Sequence, residues 1–272
     1  MQLSVIVLTS PGREANLRAC LSALAGQTQP PNQLIVVDDG SAGGEAIATA
    51  SGLKLDYLWR VNDGNRSRGR NLGAQAARCQ GLVFVDGDMI LNPHALAYYR
   101  LYLQQLPTAA VFGYHGNLCT PTTLCPSAWI PGLQVHVADE RFPYATGQNL
   151  RVHPHLSSRP QDFAWSASFA LPAALFEAVG GFDADRFGSW GFEDLDFGYR
   201  LVNAGVALHF SLDVWAEACP HPRAWTSEAD KTRNLGLITP LRREPQPAAI
   251  LHDPRHSSLL KAWQTVYAPS PL

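Results

Sequence analysis

Asp86-Gly87-Asp88 follows the apolar run Gly81-Leu82-Val83-Phe84-Val85 and precedes Asn92-Pro93, a helix start. Two carboxylates one residue apart, at the carboxyl end of a buried strand, can hold a divalent cation and leave coordination positions open. Hard cations take oxygen ligands and are commonly shared with substrate phosphates. The intervening Gly87 lets the backbone approach a ligand closely. Alone, the triplet reads more readily as a tight turn, so its neighbours decide. Polar clusters end other strands too: Thr9-Ser10-Pro11-Gly12-Arg13, and Asp38-Asp39-Gly40-Ser41. A helix begins with Arg68-Gly69-Arg70-Asn71. Each cluster by itself is a turn or a helix cap. Together, on one rim of a parallel sheet, they make a ligand site.

A second set lies downstream, in Trp190-Gly191-Phe192-Glu193-Asp194-Leu195-Asp196. Glu193 and Asp194 are a candidate acid–base pair, since moving a hydroxyl proton needs a positioned carboxylate. The bland alternative is that Glu193, Asp194 and Asp196 only complement a helix dipole; a carboxylate in the first helical turn is stabilised as the anion, which lowers its basicity yet leaves it deprotonated at neutral pH. Asp196 is assigned a structural role. Trp190 and Trp165 could face a ligand or serve as core.

The elements that must position these groups alternate between strand and helix. Strands are expected at 3–8, 34–37, 55–59, 82–85 and 109–112. Helices are expected where Leu17, Cys20, Leu21 and Leu24 form a stripe ending at Pro30-Pro31, and over 67–80 with Gly81 as C-cap. A further helix is started by Pro93 and carries Leu96, Tyr99, Leu103 and Leu106. This rhythm predicts an α/β fold with a doubly wound sheet. Residues 113–162 are irregular and rich in Pro, Thr, Ser, His and Gly. Segment 141–161 within them reads as a lid or as a surface loop. Beyond, a strand is expected over 163–171, helices over 172–179 and 193–203, and strands over 206–210 and 214–218. The tail after Arg223 should wrap the surface or fray.

Bulk properties exclude several classes. A formal net charge of -2 gives no basis for nucleic-acid binding. Five scattered cysteines without a C-x-x-C pair predict reduced thiols in the cytoplasm. The apolar start is far shorter than the ~20 residues of a membrane span, and it reads as a first strand rather than a signal peptide. Peripheral membrane contact is left open.

The ordered set T-S-P-G-R, V-V-D-D-G-S, R-G-R-N-L-G and F-V-D-G-D resembles the family 2 glycosyltransferases of the GT-A fold. Gly180-Gly181-Phe182-Asp183 and the W-G-F-E-D-L-D segment are similar to the acceptor half of those enzymes, the latter especially to galactosyl- and N-acetylgalactosaminyltransferases. The resemblance implies a Rossmann-like mixed sheet flanked by helices in a single compact catalytic domain. Residues 1–110 would form the nucleotide-sugar half and 111–222 the acceptor-binding and catalytic half, with 223–272 a partly irregular extension.

By the same resemblance, Thr9, Ser10, Pro11 and Asp39 would line the uracil and ribose site and Arg70 would contact the nucleotide, while Arg13 is a nucleotide-site candidate that would compensate for a departure at position 11. Many relatives carry an aromatic residue at position 11, so Pro11 is a departure. Asp86, with Gly87, would approach the ribose or a water on the metal, and Asp88 would bind Mn²⁺ or Mg²⁺. His221 would be a further metal ligand, with His209 and His115 ranked lower. Asp194 would be the base and Glu193 would bind sugar hydroxyls, with Trp190 and Gly191 toward the acceptor.

The expectation is a metal-dependent inverting transferase moving a sugar from a nucleotide donor, UDP foremost, to a saccharide hydroxyl, with a lean toward galacto sugars. The rivals are an inert nucleotide-sugar-binding protein and a sugar-phosphate nucleotidyltransferase. The latter needs a lysine-bearing, glycine-rich first loop, which 9–13 is not.

Overall fold

A computed structural model describes residues 1–116, 159–188, 191–219, 221, 228–243 and 250–251. Four strands run parallel: β1 (Leu3–Thr9), β2 (Gln33–Asp38), β3 (Asp56–Trp59) and β4 (Gly81–Asp86), in the order β3-β2-β1-β4. Helices α1 (Glu14–Ala25), α2 (Gly44–Ala50) and α3 (Arg66–Ala76) connect them. The register aligns the carboxyl ends, with Thr9 opposite Asp38 and Leu8 opposite Asp86. The polar clusters therefore share one rim because the strands end level, not because the clusters attract one another.

The apolar runs are buried on both faces, as a parallel sheet covered by helices requires. Side chains alternate across β1. Val5 and Val7 join Leu17, Cys20, Leu21 and Leu24 of α1 in one cluster, while Ile6 joins Phe84 in the other. α3 approaches β1 closely through glycine: a Cβ on Gly73 would come within 2.3 Å of the Ile6 side chain.

The chain continues with β5 (Met89–Leu91), α4 (Ala95–Gln105), β6 (Ala109–Gly116), β7 (Ser168–Pro172), α5 (Ala173–Ala178), α6 (Glu193–Asn203), β8 (Ala207–Ala218), α7 (Glu228–Arg243) and β9 (Ile250–Leu251). Among the described residues these complete one nine-stranded sheet of order β3-β2-β1-β4-β7-β6-β8-β5, with β9 on β8. β7 is antiparallel to β4 and β6, β8 is parallel to β6, and β5 is antiparallel to β8. The sheet is mixed.

Several expectations are corrected. Gly81 opens β4 rather than capping a helix, because α3 already ends at Ala76. The first helix stops at Ala25, before the prolines, with Gly26 as its C-cap. Residues 163–171 are not one strand: a 3-10 turn at Pro160–Phe163 precedes β7. The two strands expected over 206–218 are one, β8. α2, β5 and α7 had no expected counterpart. The segment 141–161, apart from 159–161, lies outside the described residues.

Candidate active site

Asp86 ends β4 and Asp88 precedes β5, so the triplet turns across the end of β1. The Gly87 N–H donates to the Leu8 carbonyl at 2.8 Å, and a Cβ at Gly87 would stand 2.9 Å from that same oxygen. A side chain does not fit there, which explains the glycine. Short as it is, β5 pairs Met89 with Ala218 and brings the end of β8 alongside the triplet. The Cys219 N–H donates to the Asp88 carbonyl at 2.8 Å, and His221 Nε2 lies 2.8 Å from Asp88 Oδ2. Asp88 Oδ1 is buried with no hydrogen-bond partner. Burial and the neighbouring Asp86 charge push the Asp88 carboxyl up to about 6, against the opposing pull of Arg13 and Arg66.

Arg70 connects this turn to the second set of carboxylates. It lies on α3, 2% exposed, and donates from Nη2 to Asp86 Oδ1 at 2.9 Å and from Nη1 to Glu193 Oε1 at 3.1 Å. Burial would lower its pKa, but Asp86 and Glu193 outweigh that and raise it. The guanidinium also sits 5.1 Å from the Phe182 ring centre. Phe182 in turn stacks on Phe197 of α6 at 4.4 Å, so the aromatic core fixes the arginine and the helix together.

Glu193 and Asp194 open α6, behind an unusual backbone. Gly191 has φ 107° and Phe192 φ 70°, the one non-glycine residue with positive φ among those described. Such a conformation costs about 1–2 kcal/mol and tends to occur at functional sites. The turn aims Glu193 inward, where its Oε2 accepts from the Gly191 N–H at 3.0 Å. Burial alone would raise Glu193, but Arg70, aided by Arg66, holds its pKa below the ordinary carboxylate value. Asp194, half-buried, goes the other way: burial and the Glu193 charge push it up to about 7, with Arg70 opposing. This corrects the low basicity expected from the helix dipole. Adjacent carboxylates whose environments push their pKa values apart can take divided acid–base roles.

Asp38 and Asp39 also divide. Asp38 accepts from Tyr57 Oη at 2.6 Å and from the Ser41 N–H at 2.7 Å, which builds the turn after β2. Asp39, whose N–H donates to Thr9, is 3% exposed and paired with Arg60. Burial raises its pKa against the pull of that arginine. Thr9 is buried beneath the rim, Ser10 and Arg13 are partly exposed, and Pro11 is exposed. Asp196 is fully buried between Arg186 at 3.1 Å and Arg200 at 2.7 Å, a structural pairing as expected. Trp190 lies outside the described residues. Trp165 is partly buried against Phe187, Leu195 and Ile238.

Two residues escaped the sequence reading. Arg60 directly follows the edge strand β3, where no periodic signal marks it. Arg66, two residues before Arg68, had no assigned role, yet its charge acts on both Asp88 and Glu193.

A family model described as glycosyl transferase family 2 matches residues 4–171. The chain belongs to this family. Within it, the chain is 29% identical over 253 residues to a validoxylamine A glucosyltransferase of Streptomyces hygroscopicus subsp. limoneus, covering 84% of this chain and 53% of that protein. It is 26% identical over 267 residues to the hyaluronan synthase of Pasteurella multocida, covering 89% of this chain and 27% of that one. The chain thus spans about half the length of the glucosyltransferase it matches. Among solved structures, S. aureus TarS 1–349 in complex with UDP-GlcNAc superposes with a TM-score of 0.63 at 18% identity, over 97% of this chain and 73% of that one. That likeness establishes the α/β GT-A fold for this family 2 member. No helix among the described residues is long and apolar enough to cross a membrane.

Proposed function

We propose that this family 2 glycosyltransferase is a metal-dependent, inverting hexosyltransferase that moves a sugar from a UDP donor to a hydroxyl of a saccharide or related acceptor. The observation that carries the reading is Arg70, one buried guanidinium bonded at once to Asp86 of the D-G-D turn and to Glu193 of the acid–base pair. It ties the diphosphate end of the site to the end where a proton must move. An inert binding protein has no need of that link.

The residues divide the work as follows. Asp39, oriented by Arg60, accepts the N3–H of uracil, a proton cytosine lacks. Thr9, Ser10 and Pro11 line the nucleotide, and Arg13 lies toward the phosphates. Asp88 and His221 would hold Mn²⁺ or Mg²⁺, and the donor set fits: one buried carboxylate oxygen without a partner, and an imidazole nitrogen 2.8 Å from the other oxygen. Diphosphate oxygens would complete the coordination. The ion supplies charge neutralisation on the departing diphosphate. Asp194 takes the proton from the acceptor hydroxyl as it attacks the anomeric carbon opposite the diphosphate, so an α-linked donor yields a β-linkage. A pKa near 7 suits that task at neutral pH. Glu193, kept anionic by Arg70, accepts from sugar hydroxyls, and Gly191 borders the acceptor side.

The relative named a glucosyltransferase and the UDP-GlcNAc bound by TarS support a gluco donor, whereas the W-G-F-E-D segment leans toward galacto sugars. The test is calorimetric titration of UDP, GDP and CDP, each with Mn²⁺ and with EDTA. UDP release from UDP-Glc, UDP-GlcNAc, UDP-Gal and UDP-GalNAc is then measured. UDP binding that collapses in EDTA is the expected result. Metal-independent binding, or a preference for GDP or CDP, would overturn the donor assignment. UDP binding without turnover of any sugar, even with saccharide acceptors supplied, would favour the inert protein.

A further inference from the structure

The family match ends at residue 171, and the tail carried no expected function, yet α7 reaches the acid–base turn. Asn234 of α7 is fully buried, and its Nδ2 donates to the Gly191 carbonyl at 3.0 Å. Around it, Ile238 packs with Phe187 and Leu195, and Phe192 and Trp165 lie against that cluster. Arg233 donates to the Arg186 carbonyl at 3.1 Å, which fastens α7 to the loop preceding the turn.

We propose that Asn234 is a positioning residue for the reaction, clamping the left-handed Gly191–Phe192 backbone so that Glu193 and Asp194 enter the site in a working geometry. The inference rests on the proposed role of Asp194. Gly191 is held at both ends: its carbonyl by Asn234 and its N–H by Glu193 Oε2 at 3.0 Å. From Glu193 the bonds continue through Arg70 to Asp86. The chain Asn234–Gly191–Glu193–Arg70–Asp86 therefore runs without a gap from the C-terminal helix to the D-G-D turn.

Phe192 at φ 70° relaxes toward an ordinary conformation unless something opposes it. Apolar packing from Ile238 resists separation of α7 from the turn, but packing is non-directional. It does not specify which way a carbonyl points. A hydrogen bond to that carbonyl does, and Asn234 supplies it from a helix otherwise mostly exposed.

The test compares the wild type with Asn234→Leu, which keeps the side-chain shape and removes the amide, and Asn234→Ala. Lys231→Ala, an exposed change on the same helix, is the control. Hydrogen exchange of the 191–196 amides should quicken about tenfold or more in both Asn234 variants, with β1, β2 and β4 unchanged. In UDP release from the UDP-sugar that the wild type turns over, kcat should fall about tenfold to a hundredfold, with the donor KM within about twofold. Lys231→Ala should change neither. Unchanged exchange at 191–196, or unchanged kcat, overturns the proposal. So does slowing that comes with quickened exchange throughout the sheet, which would be general destabilisation. If the wild type releases UDP from no donor, the functional reading fails, and exchange alone still decides whether Asn234 holds the turn.

Discussion

Asp194→Asn removes a carboxylate whose burial beside Glu193 raises its pKa from an ordinary 3.8 to about 7. Unfolded, the group loses its proton near the ordinary value; folded, it keeps it for about three pH units longer. Each unit corresponds to about 1.4 kcal/mol, so above pH 7 the folded state carries a penalty of at most about 4 kcal/mol. Partial exposure and the coupling to Glu193 reduce that to roughly 1–2 kcal/mol. The sign follows from proton counting. Between the two pKa values the folded state binds more protons, so stability is fully present below about 4 and declines as pH rises to about 7. Asparagine cannot ionise and escapes the penalty. Urea unfolding of both proteins from pH 5 to 8 is the assay. The variant should gain with rising pH, reaching roughly 1–2 kcal/mol at pH 8, or about 2–8 °C in Tm. Transfer should meanwhile fall by about 10²–10⁴ while UDP binding persists. A variant no more stable than wild type at pH 8, or a difference independent of pH, would refute the reasoning.

Glu193→Gln removes the anion that repels the Asp194 charge, so the acid limb of the transfer pH profile should move to lower pH by about one unit. A limb that stays in place would separate the two carboxylates. Asp88→Ala should reduce UDP affinity in Mn²⁺ to the value measured in EDTA, and an unchanged Mn²⁺ response would remove Asp88 from the cation site. Arg70→Ala leaves Glu193 buried without its cation, and urea unfolding should show a loss of about 3–5 kcal/mol. A loss under about 1 kcal/mol would mean that water or another cation takes its place.

Much of the parallel half of the sheet and its polar rim was legible because parallel strands leave plain marks. β1, β2 and β4 are short apolar runs ending in polar clusters, and their level ends follow from the sheet. β5 and α2 were illegible for a physical reason. Three residues show no period, and α2 buries only Gly44, Ile47 and Ala48. The pKa of Asp194 was misread because its helix position was visible while its burial and the aim of Glu193 were not. Asn234 left no signature, since one buried amide in a polar helix containing Pro240 breaks no pattern. His221 was reachable only through the family resemblance; what the structure adds is that β5 draws it in.

That pairing of β5 with β8 bears on synthesis of the chain. Asp88 and its histidine neighbour lie more than a hundred residues apart, and a strand of three residues sews them together. A ribosome that has delivered β1 to β4 has not yet delivered β8, so a nascent chain has the polar rim but not the complete set of residues proposed to hold the cation. Contacts this distant in sequence form late in folding. Partial products would be unable to grip a metal–diphosphate and waste activated sugar by hydrolysis. Competence would arrive in a single late event, when the last long strand docks between β6 and β5.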